Sequence, residues 1–336
     1  MARVPRGEAR RIAELFGVDT GSLDVGRSGP AAFYALDLGL PAATYVVDSP
    51  EGAEIASKPE LVGDRLKEKA AAAAAYAVKL MESLGLGERA VLLHILRGSP
   101  GYEITGPLEK AAEVDNIYIR VMYSGDSYRN HVEREARAVY TKAGQIASGR
   151  YTLVVADTVA TGRSMLEALG RALDVLRFKS VEIDRVYVYG FLSLPGAARV
   201  AGALASRGLD AVLIAVEDYS ALSRNEYDMP LYGPDPAEPS KLLGGAAPLS
   251  ALERMLPMYY PGMDQPGDWS ERQCRLFNGV GYERGDTEGH LRRSLEMLDE
   301  LHSVASGEDW YRGWMEEVYG ERRRGLLSAL ESRVCE

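Results

Sequence analysis

The sequence is poor in the residues that cross-link chains or carry them through membranes. Its cysteines are Cys274 and Cys335 alone, too few for a disulfide framework. No run of 18 apolar residues and no short apolar leader segment occurs, so neither a membrane span nor a secretory signal is expected and the cytoplasm is the natural compartment. An excess of basic charge is also missing. Lys and Arg number 39 against 49 Asp and Glu, leaving a net charge of -10 and a pI near 5.2. That balance argues against a nucleic-acid scaffold and for small-molecule partners, with room for a local basic funnel around a phosphate. Asn and Gln are scarce beside Arg and Glu, as in thermophiles and in GC-rich genomes. The pattern G-x-x-x-x-G-K-[ST] does not occur, which disfavours a kinase or another nucleoside-triphosphate enzyme. No metal-ligand cluster stands out.

What the chain does have is centred on YTLVVADTVATGRSM, residues 151–165. Residues 152–156 are continuously apolar, the mark of a strand buried on both faces inside a parallel sheet. Asp157 and Thr158 end the apolar run, Thr161 and Gly162 turn the chain, and residues 164–178 space Leu166, Leu169, Leu173 and Leu176 along one helical face. A strand, tight loop and helix in this order aim backbone N–H groups and a positive helix end at one point, beside the Thr161 and Ser164 hydroxyls. This predicts an anion site, suited to phosphate, against the plainer reading of an ordinary strand-loop-helix connection carrying a stray Asp.

LVVADTVATGRSM resembles the thirteen-residue ribose-phosphate signature of the type I phosphoribosyltransferases. That signature runs from a hydrophobic strand through an acidic pair and two hydrophobic positions to a small-Thr-Gly-x-Ser/Thr loop. The acidic pair is Ala156-Asp157 here, so one acid is absent, and Thr158 takes a place that is usually apolar. The resemblance implies that the backbone of Ala160, Thr161, Gly162, Arg163 and Ser164 holds a 5-phosphate while Asp157 faces the ribose.

In chain order, Glu8–Phe16 reads as an amphipathic helix, residues 43–47 as a β-rich run and residues 59–84 as a long helix around an Ala run, stopped by Gly85 and Gly87. Residues 90–96, AVLLHIL, form a second buried strand, in which His94 reads as a core residue. Arg97-Gly98-Ser99 follow at its end, with Thr105 placed to cap the next helix. ILRGSPG resembles the pyrophosphate loop of the uracil branch of the family, implying that Arg97, Gly98 and Ser99 hold pyrophosphate. Residues 116–123 are a third strand, leading into an alternating segment that reads as a two-stranded arm. The family has a mobile hood there, and the Tyr128-Arg129 pair makes Arg129 a candidate second pyrophosphate contact. Residues 184–192, 195–207 and 210–216 give further strand and helix steps. Read by itself, the segment after residue 216 is a polar loop following an edge strand. It also resembles the end of the uracil branch in keeping Glu217, Asp218, Asn225, Tyr227, Pro230 and Gly233, though not the Gly-rich ending. The resemblance implies base recognition by residues 228–233, with Asp228, Met229 and Gly233 as candidates. A Pro/Gly/Ala-rich linker at 234–248 then leads to a short helix, a turn-rich aromatic segment carrying Asp264 and Asp268, and helical patterns at 287–306 and 308–334.

The expected architecture is α/β: a mostly parallel sheet flanked by helices, the phosphoribosyltransferase type I fold, with a hood and a helical C-terminal extension. Its parts are an N-terminal segment (1–58), a core (59–235) and the extension (236–336). The resemblance implies transfer of 5-phosphoribosyl from phosphoribosyl pyrophosphate to a nucleobase, uracil first, with release of pyrophosphate. A non-catalytic protein that binds phosphoribosyl pyrophosphate is the alternative. Asp157 would stabilise the ribose cation, and Arg97 with Mg²⁺ the departing pyrophosphate. Mg²⁺ itself would be bound mainly through substrate phosphates, without a dedicated protein cage. A homodimer is expected.

Overall fold

The computed structural model describes residues 2–123, 135–332 and 334–335. Among them, nine strands join in one sheet. These are β1 (Leu23–Ser28), β2 (Ala31–Leu36), β3 (Ala43–Asp48), β4 (Arg89–Leu96), β5 (Glu113–Tyr123), β6 (Ala136–Ala143), β7 (Gly149–Ala156), β8 (Val181–Ser193) and β9 (Asp210–Ser220). Their order is β1-β2-β3-β9-β8-β7-β4-β5-β6. The six strands from β3 to β5 run parallel, while β1, β2 and β6 are antiparallel additions at the two edges. The architecture is therefore α/β with a mostly parallel sheet flanked by helices.

The apolar runs explain the layering. In β7, Leu153 and Val155 face a core shared with Leu169 and Leu176 of α5 (Arg163–Phe178) and Val200 and Leu204 of α6 (Leu194–Ala205). Val154 and Ala156 face the opposite core, which contains Ala73, Ala74 and Ala77 of the long helix Gly63–Ser83. A strand with both faces covered has no place for polar alternation, which is why its sequence reads as a continuous apolar stretch. Alanine at those three helical positions lets the helix lie close on the sheet.

Several expectations need correction. The chain before residue 59 supplies three strands of the main sheet and a helix, Pro50–Ser57, with Ser49 as its N-cap. Because β3 pairs with β9, β9 lies inside the sheet and is not an edge strand. The long helix starts at Gly63, after a turn in which the Leu61 N–H donates to Lys58 O. The short helix after β4 is α4 (Thr105–Glu109), numbered after α1 (Glu8–Phe16) and the helices Pro50–Ser57 (α2) and Gly63–Ser83 (α3); its N-cap is Ile104, and Thr105 lies inside its first turn. The linker is a hairpin of β10 (Tyr232–Asp235) and β11 (Glu238–Gly244). Cys274 and Cys335 are joined in a disulfide although they lie 61 residues apart in sequence. His94 is buried as expected, bonded to Asn116 and stacked on Tyr118. Arg129 and Tyr128 fall within residues 124–134, outside the described residues.

The C-terminal helices α7 (Leu249–Met255), α8 (Thr287–Ala305) and α9 (Gly313–Glu331) close over the N-terminal segment. Trp310 packs edge-on against Phe16 at 5.1 Å, the Trp314 indole N–H donates to Glu8 and Arg322 pairs with Glu60 at 2.8 Å. Arg272, fully buried, donates to the carbonyls of Ile55, Lys58, Leu61, Gln265 and Pro266. Cutting the chain after Ser240 would expose the partners of Trp269, Trp310 and Trp314 together, leaving a large apolar patch. We expect the 1–240 fragment to be insoluble or to melt far below the full chain; a soluble fragment with an unchanged melting temperature would show that the extension is dispensable.

Candidate active site

The sheet reverses its winding between β4 and β7: β5 lies to one side of β4, whereas β7, β8 and β9 proceed to the other. Strand ends at such a switch point leave a crevice, the habitual ligand site of open α/β sheets. A cavity of about 420 Å³ lies there, lined by the ends of β4, β5 and β7, the start of α5, Tyr227 and residues 266–271.

The loop after β7 is held by its neighbours. Asp157 N–H donates to Tyr189 O at 2.9 Å and Val159 N–H to Phe191 O at 2.8 Å. Gly190 makes this possible, since a Cβ there would lie 2.1 Å from Asp157 O. Gly162 then turns left-handed, with φ 78°, and opens α5; the conformation suits a residue without a Cβ. Gly162, the N-cap of α5, has no side chain to cap it; Arg163 N–H donates to Thr161 Oγ1 at 3.4 Å and the backbone of Ser164 bonds the Tyr123 hydroxyl, so hydroxyls gather at the positive end of the helix beside the cavity. Ser164 Oγ donates to the Tyr123 hydroxyl at 2.7 Å, burial pushing the Tyr123 phenol above its usual range. Arg163 pairs with Glu226 at 2.9 Å.

Asp157 lies on the cavity wall, 9% exposed. Burial pushes its carboxyl up to about 8, opposed in part by a backbone hydrogen bond at Thr158. The group is therefore poised to lose its proton when a positive charge arrives. Ala156 points into the apolar core beneath, among Tyr102 and Phe191, and Thr158 Oγ1 meets the Tyr102 hydroxyl at 2.6 Å. The place of the second acid is thus filled by packing.

On the β4 side, the Leu96–Arg97 peptide is cis. Arg97 and Gly98 line the cavity. Ser99 is buried, its hydroxyl donating to Ala156 O, which ties the two loops together. Gly98 O accepts the Trp269 indole N–H at 3.1 Å.

The structure thus brings Asp157, Arg97, Gly98, Ala160, Thr161, Gly162, Arg163 and Ser164 to one cavity. It places the base-recognition candidates elsewhere. Met229 N–H donates to Asp264 Oδ1 at 2.7 Å, Asp228 accepts from Asn225 at 2.6 Å, and Gly233 abuts Gly262, where a Cβ would lie 2.1 Å from its nitrogen. Tyr227 is the member of that segment on the cavity wall; its hydroxyl donates to Asp268, which also accepts from Arg293. Sequence reasoning missed Tyr123, Ser270 and Glu271. Tyr123 could have been found as the last residue of an apolar strand, whereas residues 266–271 carry no periodic signal.

No protein-family model and no curated protein matches the chain. Solved structures similar to part of it include three phosphoribosyltransferases. Mycobacterium tuberculosis orotate phosphoribosyltransferase in complex with 5-phospho-alpha-D-ribosyl 1-diphosphate is 20% identical over 50% of this chain and 90% of that one, with a TM-score of 0.31. Trypanosoma brucei adenine phosphoribosyltransferase in complex with AMP, pyrophosphate and ribose-5-phosphate is 14% identical over 54% and 86%, with a TM-score of 0.34. Adenine phosphoribosyltransferase from Thermoanaerobacter pseudethanolicus is 12% identical over 43% and 81%, with a TM-score of 0.29.

The raised carboxyl gives a stability signature. Between its ordinary 3.8 and about 8 the unfolded chain releases a proton that folded Asp157 keeps, so this group's contribution to stability is lost as pH rises through that window. Asp157→Asn removes the loss. The variant should melt a few degrees above the wild type at pH 8 and level with it near pH 4, by parallel thermal melts; a pH-independent difference would contradict the assigned ionisation.

Proposed function

We propose that the chain is a phosphoribosyltransferase that transfers 5-phosphoribosyl from phosphoribosyl pyrophosphate to a nucleobase and releases pyrophosphate. The observation that carries the reading is the convergence of the 160–164 loop, Asp157 and Arg97 on one cavity at the switch point of the sheet. The 5-phosphate sits at the positive end of α5, beside the Thr161 and Ser164 hydroxyls. This fixes the ribose above Asp157. As the glycosidic bond to pyrophosphate lengthens, positive charge develops on the ribose ring, and Asp157, ionised by that charge, stabilises it. Arg97 and the backbone at Gly98 and Ser99 bind the departing diphosphate.

The donor set suits a Mg²⁺ ion brought by substrate. Among the described residues no three His, Cys, Asp or Glu side chains gather to hold a metal, and Mg²⁺ commonly binds through one or two carboxylates plus phosphates. Asp157, on the cavity wall, is the carboxylate that would help hold it, and the ion would neutralise charge on the diphosphate. Uracil stands first among acceptors because Asn225, Tyr227 and Pro230 keep the uracil-branch places. We propose a homodimer in the cytoplasm, where no helix of the described residues is long and apolar enough to cross a membrane. The Cys274–Cys335 bond is compatible with that compartment in a hyperthermophile. A second reading, a sensor that binds phosphoribosyl pyrophosphate without turnover, is favoured by one observation: Ala156 is packed in the core where the family signature has an acid.

Phosphoribosyl pyrophosphate with Mg²⁺ at about 100 times its Kd should stabilise the fold by about 2.7 kcal/mol, and ATP by much less. Pyrophosphate release with a panel of uracil, other pyrimidines and purine bases separates enzyme from sensor; absence of any binding overturns both readings. Asp157→Asn should lower kcat by about 10². Arg97→Ala should weaken pyrophosphate binding by about 2 kcal/mol while leaving ribose 5-phosphate almost unaffected. Calorimetry showing equal loss for both ligands would remove Arg97 from the diphosphate end.

A further inference from the structure

Arg97 does not stand alone in the cavity wall. Its guanidinium bonds Glu271 at 2.6 Å through one terminal nitrogen and Glu283 at 3.2 Å through the other. Both acids come from the C-terminal extension, beyond the reach of the sequence resemblance. They differ in how they are held. Glu271 is 9% exposed along its side chain, and its second oxygen accepts the Asp286 N–H at 2.6 Å, at the N-cap of α8. Its neighbour Trp269 reaches over to bond Gly98 O. Glu283 is 35% exposed and ends the two-residue strand Tyr282–Glu283 (β13), paired with Leu276–Phe277 (β12).

One guanidinium between two carboxylates carries a local charge of minus one, which is a poor welcome for a diphosphate. A carboxylate fixed at both oxygens, as Glu271 is, cannot leave without breaking two charge-assisted or backbone bonds at once, a costlier step than breaking one. Glu283, 35% exposed and at the longer distance of 3.2 Å, exchanges its partner for water at lower cost, because pairs open to solvent are worth little. We propose that Glu271 is a positioning residue that aims Arg97 at the cavity, and that Glu283 is the anion a diphosphate displaces from it. The proposal rests on the reading of Arg97 as the diphosphate contact. It makes the extension part of the site: one of its acids orients the arginine, and the other holds its place until substrate arrives.

The test is calorimetric titration of inorganic pyrophosphate and of ribose 5-phosphate into the full-length wild type, Glu283→Gln, Glu271→Gln and Glu271→Asp. Glu283→Gln should bind pyrophosphate about threefold more tightly, the size of an exposed ion pair. Glu271→Gln should bind it about tenfold more weakly, the size of a charge-assisted hydrogen bond, with Glu271→Asp recovering part of the loss. Ribose 5-phosphate affinity should stay constant throughout. Unchanged or weaker pyrophosphate binding in Glu283→Gln overturns displacement. Equal losses for both ligands in Glu271→Gln, or none, overturn positioning. A wild type that binds ribose 5-phosphate but no pyrophosphate overturns the proposal while leaving the phosphate loop standing; one that binds neither ligand overturns the functional reading as well.

Discussion

A parallel strand covered on both faces has one freedom left, the chemistry of its ends. β7 shows this constraint most fully. Its neighbours β4 and β8 satisfy its backbone on both edges, and two apolar cores cover its faces. The polar residues that follow it must emerge at one end of the sheet, next to those that follow β4. Everything at the candidate site hangs from that alignment. The ladder bonds continue past the strand end to Asp157 and Val159, the Ser99 hydroxyl ties the β4 loop to Ala156 O, and α5 begins where the chain is turned by Gly162.

The same constraint accounts for the condition of Asp157. A carboxyl held at the end of a buried strand loses its hydration, which a backbone hydrogen bond at Thr158 offsets only in part, so its proton is retained to about pH 8. Such a group costs stability as pH rises past its ordinary range, and carboxyls perturbed in this way cluster at functional sites. The cost is limited to one carboxyl because Ala156, on the other face, is packed as an ordinary core residue.

The C-terminal extension covers the N-terminal segment and also reaches the cavity. Its anchorage is redundant: a fully buried arginine donating to five carbonyls, a disulfide, and an aspartate shared between Tyr227 and Arg293. This redundancy fits a segment with little regular structure. Residues 256–286 contain only the two short strands β12 and β13, so side-chain bonds must do what a helix or ladder would otherwise do.

Sequence and structure divide the information along physical lines. Burial on both faces leaves a continuous apolar run, so β4, β7, β8 and β9 were legible, as was the amphipathic helix Glu8–Phe16. Local turn chemistry made the strand, tight loop and helix start at 156–164 legible, because glycine, hydroxyls and a helix start act within a few residues of one another, while the Arg97 loop was read from its resemblance to a known loop. Long-range pairing was not legible. That β3 joins β9, that Cys274 meets Cys335, that Met229 N–H is taken by Asp264, and that Glu271 holds Arg97 are contacts between residues far apart in the chain. They leave no periodicity or spacing to read. The sequence by itself determined an α/β chain with Gly- and hydroxyl-bearing loops after two buried strands; the tertiary structure alone decided that those loops share a cavity and that residues of the last hundred line its wall, because only folding selects which distant side chains meet.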